Sequence, residues 1–257
     1  MYQAMEDDFL EIFHVHTSRC KHASADEDYE YVEAAMKLGA KRIVFTDHSP
    51  FPNNPFTNRM DIEQLPEYID SMKKLKKEYV KGIEVLAGLE MEYLPSFQKF
   101  YKEMYALYQA KDLDLLILGQ HFFEKEDGSY SFLDEDKTEE YKGLSKAMIE
   151  GTDTGIFQVI AHPDRVFRNY KGNVSEQINA FYNIIHAAMK NNLALEKNYS
   201  SMRREGQYNE HFWIRAASTN VIKGYDAHSV KEMLELWKEH YGFFISQSEI
   251  NRLLGGN

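Results

Sequence analysis

Two hydrophobic periods alternate along the chain. Short apolar runs of strand character occur at 9–15, 42–46, 84–89, 113–118, 157–161, 192–196 and Val221–Gly224. Between them lie longer amphipathic stretches, at 26–38, 62–80, 96–109, 138–149, Val174–Lys190 and 203–218. Apolar residues there recur three and four positions apart, as Tyr31, Ala34, Ala35 and Leu38 do, which places them on one side of a helix. Strand alternating with helix predicts parallel strands with helices outside. Seven such units in 257 residues point to a barrel in one domain, 1–257, rather than an open sheet. The second candidate, a doubly wound sheet, lacks the Gly-rich strand-to-helix turn of a dinucleotide or P-loop fold. No fixed-period repeat, low-complexity stretch or long Pro/Gly/Ser linker divides the chain.

A β/α barrel carries its active site at the C-terminal ends of the strands. Those ends read His14-Val15-His16 followed by Cys20-Lys21-His22, then Thr46-Asp47-His48, Glu90, Gly119-Gln120-His121, Ala161-His162-Pro163-Asp164 and Asp226-Ala227-His228. On a regular strand, residues i and i+2 share a face, so His14 and His16 are expected to reach one ion. A lone His-x-His pair is commonly incidental, and a single strand-end histidine is commonly structural. Seven of the chain's ten histidines at strand ends is a different pattern, because chance would scatter them over helix faces as it does His186, His211 and His240. Imidazoles with carboxylates suit zinc, manganese or iron and disfavour calcium.

Composition narrows the partners. The net charge of −11 leaves no basic footprint for nucleic acid. No apolar run approaches the roughly 20 residues of a membrane span. The start, MYQAMEDDFLEIF, lacks the basic and apolar regions of a secretory signal. Cys20 is the single cysteine, so no intrachain disulfide is possible. A cytoplasmic protein with neither nucleic-acid nor membrane partners is expected; oligomeric state is not legible.

The segments HVHTSRCKHA, FTDHSPFP, GLEMEY, GQHF, AHPDR and GYDAH resemble, in order and rough spacing, the motifs of the PHP superfamily (polymerase and histidinol phosphatase). The similarity runs from about residue 9 to 232 and is strongest to the monofunctional histidinol-phosphate phosphatases, which share H-x-H-T-x-x-C-x-H-A and D-H-S-P followed by an Arg-Met pair, here Arg59-Met60. The resemblance implies a distorted TIM-like (β/α)7 barrel with three divalent metal ions at the C-terminal ends of the strands. It assigns His14, His16 and Asp226 to one ion, with Glu90 bridging to a second held by His121 and His162. His22, His48 and His228 would hold the third. Glu92 would then orient a histidine or a water, or else be a solvated charge.

The same resemblance implies hydrolysis of L-histidinol phosphate to L-histidinol and phosphate, a step of histidine biosynthesis, by a hydroxide bridging two metals. Water shared between two such ions has its pKa lowered toward about 7. Arg165 and Arg203 are expected to clasp the phosphate through their planar forks, although Arg168 and Arg204 lie close by; no side chain is singled out as the acid for the leaving group. Cys20, Trp213 and Trp237 read as packing residues. The loop 49–60, with Phe51, Asn53, Asn54, Phe56 and Arg59, is a candidate for contacting the rest of the substrate, or an ordinary rim loop. Three departures from the family pattern bear on the substrate: Tyr225 where serine is usual, Lys197 after Glu196, and no proline in Tyr208-Asn209-Glu210-His211. They leave open another small phosphomonoester or protein phosphotyrosine as substrate. A non-catalytic or proofreading module attached to a polymerase is the reading from another class; the chain's acidity counts against it, and the full ligand set counts against loss of activity.

Overall fold

The computed structural model describes residues 2–131 and 136–242. Seven parallel strands lie in one sheet in chain order: β1 (Glu11–Val15), β2 (Arg42–His48), β3 (Glu84–Met91), β4 (Leu115–Leu118), β5 (Val159–Ile160), β6 (Ala194–Asn198) and β7 (Val221–Gly224). Helices alternate with them: α1 (Asp28–Lys37), α2 (Leu65–Tyr79), α3 (Gln98–Gln109), α4 (Tyr141–Asp153), α5 (Val174–Lys190), α6 (Tyr199–Arg203), α7 (Glu210–Arg215) and α8 (Val230–Tyr241). A doubly wound sheet would break chain order at its switch point. This sheet keeps it, as the expected (β/α)7 barrel requires.

By density of contacts the chain gathers into two compact units. The first holds 3–89, 111–114 and the described residues from 224 onward. Here β1 pairs with β2 in the register Glu11↔Arg42, Ile12↔Ile43, Phe13↔Val44, then slips at His14 so that Val15 faces Phe45. The slip is a bulge with His14 at φ 68°. Past β7 the chain returns to β1: the Tyr225 N–H donates to Phe13, the His16 N–H to Ala227, and Val15 bridges Ala227 in parallel. Ile12, Phe13, Phe45, Tyr68, Met72 and Trp237 form the core of this unit.

The second unit holds 90–110 and the described part of 115–223. Ile117 faces Val159 and Leu118 faces Ile160, while Val159 and Ile160 face Ala194 and Leu195. Phe181 of α5 sits edge-on between Phe167 and Phe212, at 4.7 and 5.4 Å between ring centroids. Trp213 on α7 is buried here, and Trp237 on α8 in the other unit, as packing residues should be.

One expected element is corrected. The stretch 203–218 is not a continuous helix; α6 ends at Arg203, and α7 starts afresh at Glu210. Between them Gly206 takes φ 74° against Asn169, where an added Cβ would stand 1.7 Å from the Asn169 amide oxygen. Asn209 then caps α7, its side-chain oxygen accepting from the Phe212 N–H at 3.2 Å.

Candidate metal centre

In the first unit six of the nine expected ligands form two donor sets. Ring nitrogens of His14 and His16 and a carboxylate oxygen of Asp226 all lie within 4.8 Å of one another. The Asp226 Oδ1 is 3.2 Å from His16 Nε2 and 3.8 Å from His14 Nε2. Simple strand alternation does not bring the two imidazoles together, as the regular i, i+2 argument had it; the bulge at His14 does, with ring centroids 4.9 Å apart.

His22, His48 and His228 form the second set, again with donor atoms within 4.8 Å. The His22 Nδ1–H donates to the Cys20 carbonyl at 2.8 Å and the His228 Nδ1–H to the Asp226 carbonyl at 3.1 Å. A carbonyl can only accept, so both rings are fixed in the tautomer whose Nε2 carries a lone pair, the form that ligates a metal. The His228 Nε2 is buried without a hydrogen-bond partner. Burial and then neighbouring His16 push the His228 pKa down to about 3, so the ring is held neutral, as a ligand must be. The His16 ring stacks on His228 at 4.3 Å and 11°.

Glu90, His121 and His162 meet in the second unit. Glu90 Oε1 lies 2.7 Å from His162 Nε2 and 3.6 Å from His121 Nε2. Its carboxylate rests on Gly119, where an added Cβ would stand 2.0 Å from Oε1. The His121 Nδ1–H donates to Glu92 Oε1 at 2.9 Å, so Glu92 orients a histidine; it is buried and no solvated charge. Burial alone would depress the His121 pKa, but the Glu90 charge and the Glu92 bond outweigh it and raise it. His162 goes the other way, to about 4, through burial and the charge of Arg165. Its backbone N–H donates to Glu196 at 2.9 Å.

His14, His162 and Asp226 have φ of 68°, 32° and 50°. Left-handed backbone at non-glycine residues costs on the order of 1–3 kcal/mol each and collects where function demands a particular side-chain aim. Nothing in the sequence announces it. The donor sets, neutral imidazoles with carboxylates on constrained backbone, fit divalent metals.

Arg165 stands in the short helical turn after His162. Its Nε and Nη2 donate to Ser201 Oγ at 3.0 and 2.7 Å, and Nη2 also to Asn198 Oδ1 at 3.1 Å. Arg203 is the last residue of α6, with an exposed side chain. Cys20 is buried, and burial followed by the Asp47 charge pushes its thiol up to about 12. The residue packs in the interior, with its sulfur within 4.8 Å of donor nitrogens of His16 and His228.

The loop 49–60 does not present its aromatic rings outward. Phe51 and Phe56 pack edge-on at 5.2 Å, and the buried Arg59 guanidinium lies 5.5 Å from each ring centroid. Arg59 also donates to the Ser49 carbonyl at 3.2 Å. Asn53 and Asn54 remain exposed. The three departures from the family pattern are likewise built in. Tyr225 is fully buried, the Lys197 ammonium lies 5.4 Å from the Tyr208 ring centroid, and Asn209 does the capping at α7.

Sequence reasoning assigned no role to several residues that hold the site. Asp47 accepts both the Thr17 N–H and hydroxyl, at 2.7 and 2.8 Å. Asp164, raised to about 6 by burial, accepts from the Asn209 N–H and the Trp213 ring N–H at 2.8 and 2.9 Å. Both stand inside quoted motifs, TDH and AHPD; only their partners, 30 or more residues away, reveal what they do.

Comparison with known proteins agrees with this geometry. The PHP domain family model matches residues 13–200. The chain belongs to the PHP domain family. It is 32% identical over 163 residues to a probable histidinol-phosphatase of Deinococcus radiodurans, a match covering 59% of each chain. It is 29% identical to the histidinol-phosphatase of Bacillus subtilis, over 86% of this chain and 94% of that one. The crystal structure of histidinol phosphate phosphatase from Lactococcus lactis, in complex with zinc, L-histidinol and phosphate, has the same fold at a TM-score of 0.68. That likeness has 20% identity and covers 97% of this chain and 95% of that chain. Among the described residues no helix is long and apolar enough to cross a membrane.

Proposed function

We propose that the chain is a metal-dependent phosphoric monoester hydrolase that converts L-histidinol phosphate to L-histidinol and phosphate. The observation that carries this is the nine-residue donor set. His14, His16 and Asp226 hold one ion, His22, His48 and His228 another, and Glu90, His121 and His162 a third. Divalent ions, zinc foremost given the Lactococcus complex, supply Lewis-acid polarisation of the phosphate and activation of water. The chain's own residues do the rest. The Nδ1 bonds of His22, His228 and His121 aim their Nε2 lone pairs, and Gly119 gives Glu90 room at its position. Asn198 and Ser201 hold the Arg165 guanidinium near His162, where its charge would attract the phosphate oxygens. Arg203, the last residue of α6, is proposed as a second phosphate contact.

Phosphate release from histidinol phosphate, p-nitrophenyl phosphate and nucleotide monophosphates tests the substrate. Histidinol phosphate is expected to exceed the generic esters by at least roughly tenfold in kcat/KM, a difference of about 1.4 kcal/mol in transition-state binding. Equal turnover of all three would overturn the assignment and leave a phosphoesterase of other specificity.

A further inference from the structure

We propose that Arg19 is a positioning residue for the His22 metal site, acting through the turn that carries His22. The proposal rests on the reading of His22, His48 and His228 as ligands. Of the nine ligands His22 alone is exposed, so burial does not hold it. It follows the short helical turn Ser18–Cys20 and Lys21, whose φ is 64°. That turn is secured from two sides. Asp47, buried beside the ligand His48, takes the N–H and hydroxyl of Thr17. Arg19 reaches back to the same hydroxyl oxygen, Nη1 donating to Thr17 Oγ1 at 3.1 Å.

The remaining donors of Arg19 are all spent on helix starts. Nη1 and Nη2 grip the two oxygens of Asp28, the first residue of α1, at 2.8 and 2.9 Å. Nε and Nη2 grip Glu67, in the first turn of α2, at 2.8 and 2.9 Å. Ser71 adds a bond to Asp28 at 2.7 Å, and the guanidinium lies 5.6 Å from the Tyr68 ring centroid. Burial alone would lower the Arg19 pKa, but the bonds from Glu67 and Asp28 hold it above its ordinary value. Every N–H of the fork is therefore committed within the protein, none to a ligand, and the fork's rigidity ties α1, α2 and the turn into one frame. A lysine has a single point charge and cannot make two parallel pairs.

The test uses full-length protein loaded with zinc and compares wild type, Arg19→Met, Arg19→Lys and His22→Ala. Zinc affinity per site is read by competition with a chromophoric chelator, and cobalt-substituted protein reports ligand geometry in its visible spectrum. In Arg19→Met one zinc per chain is expected to bind roughly 10–100-fold more weakly, the range seen when supporting partners of ligands are lost. It should be the same zinc that His22→Ala loses, with partial recovery in Arg19→Lys and the other zincs unchanged. If Arg19→Met fails to fold, Glu67→Gln removes one grip of the fork and is expected to weaken the same zinc to a smaller degree. Full-strength binding of every zinc by the Arg19 or Glu67 variant, while His22→Ala loses one, overturns the positioning role alone. Retention of every zinc by His22→Ala overturns the ligand assignment beneath it.

Discussion

At the scale of single residues, the chemistry depends on side chains whose aim is set by neighbours that carry no chemistry themselves. Gly119 is the plainest case, because its missing Cβ is the space in which the Glu90 carboxylate sits. Gly119→Ala is expected to displace that carboxylate, to cost about 1–3 kcal/mol through overpacking, and to lose the zinc held by Glu90, His121 and His162. Thermal denaturation and zinc content measured by atomic emission check both effects. Arg165→Ala is expected to lower kcat/KM for the phosphoester by about 10²-fold with zinc content unchanged, in line with the loss of one charged transition-state contact. Steady-state kinetics beside metal analysis decide it. The candidate donors stood out in the chain, since histidines clustered at strand ends contrast with histidines on helix faces. Their aim was not legible. The bulge at His14 arises in the pairing of β1 with β2, and neither it nor the left-handed backbone of His162 and Asp226 is encoded in local spacing.

At the scale of elements, hydrophobic period located most strands and helices to within a few residues, and it did so for a physical reason. Strands buried on both faces are continuous apolar runs, and helices covering them need one apolar stripe. It failed at 203–218, where a helix-like spacing of apolar residues is interrupted by Gly206 and restarted by the cap at Asn209. The side-chain oxygen of Asn209 caps and so starts α7. Asn209→Ala is expected to cost about 1 kcal/mol, lowering Tm by roughly 2–4 °C for a chain of this size without changing zinc content. Differential scanning calorimetry measures the shift. The loop 49–60 teaches the same lesson from the other side. Its aromatic residues suggested a surface for ligand, but Phe51 and Phe56 are themselves buried, each against the buried Arg59.

At the scale of the molecule, an acidic chain of net charge −11 is read as acting on a dianionic phosphoester, and the donor sets reconcile the two. Bound divalent ions place concentrated positive charge where the phosphate binds, and a short-range field of that kind dominates a diffuse surface charge. Each compact unit brings its own donors, the first with two sets and the second with one, so the account stands on metal loading of both. The most direct measurement is a titration of zinc into chelator-stripped protein, following phosphate release from L-histidinol phosphate at each addition. The account predicts no turnover without metal and activity that rises to a plateau as three zinc ions per chain are bound. Turnover by the stripped protein, or a plateau reached with no zinc retained, would contradict it.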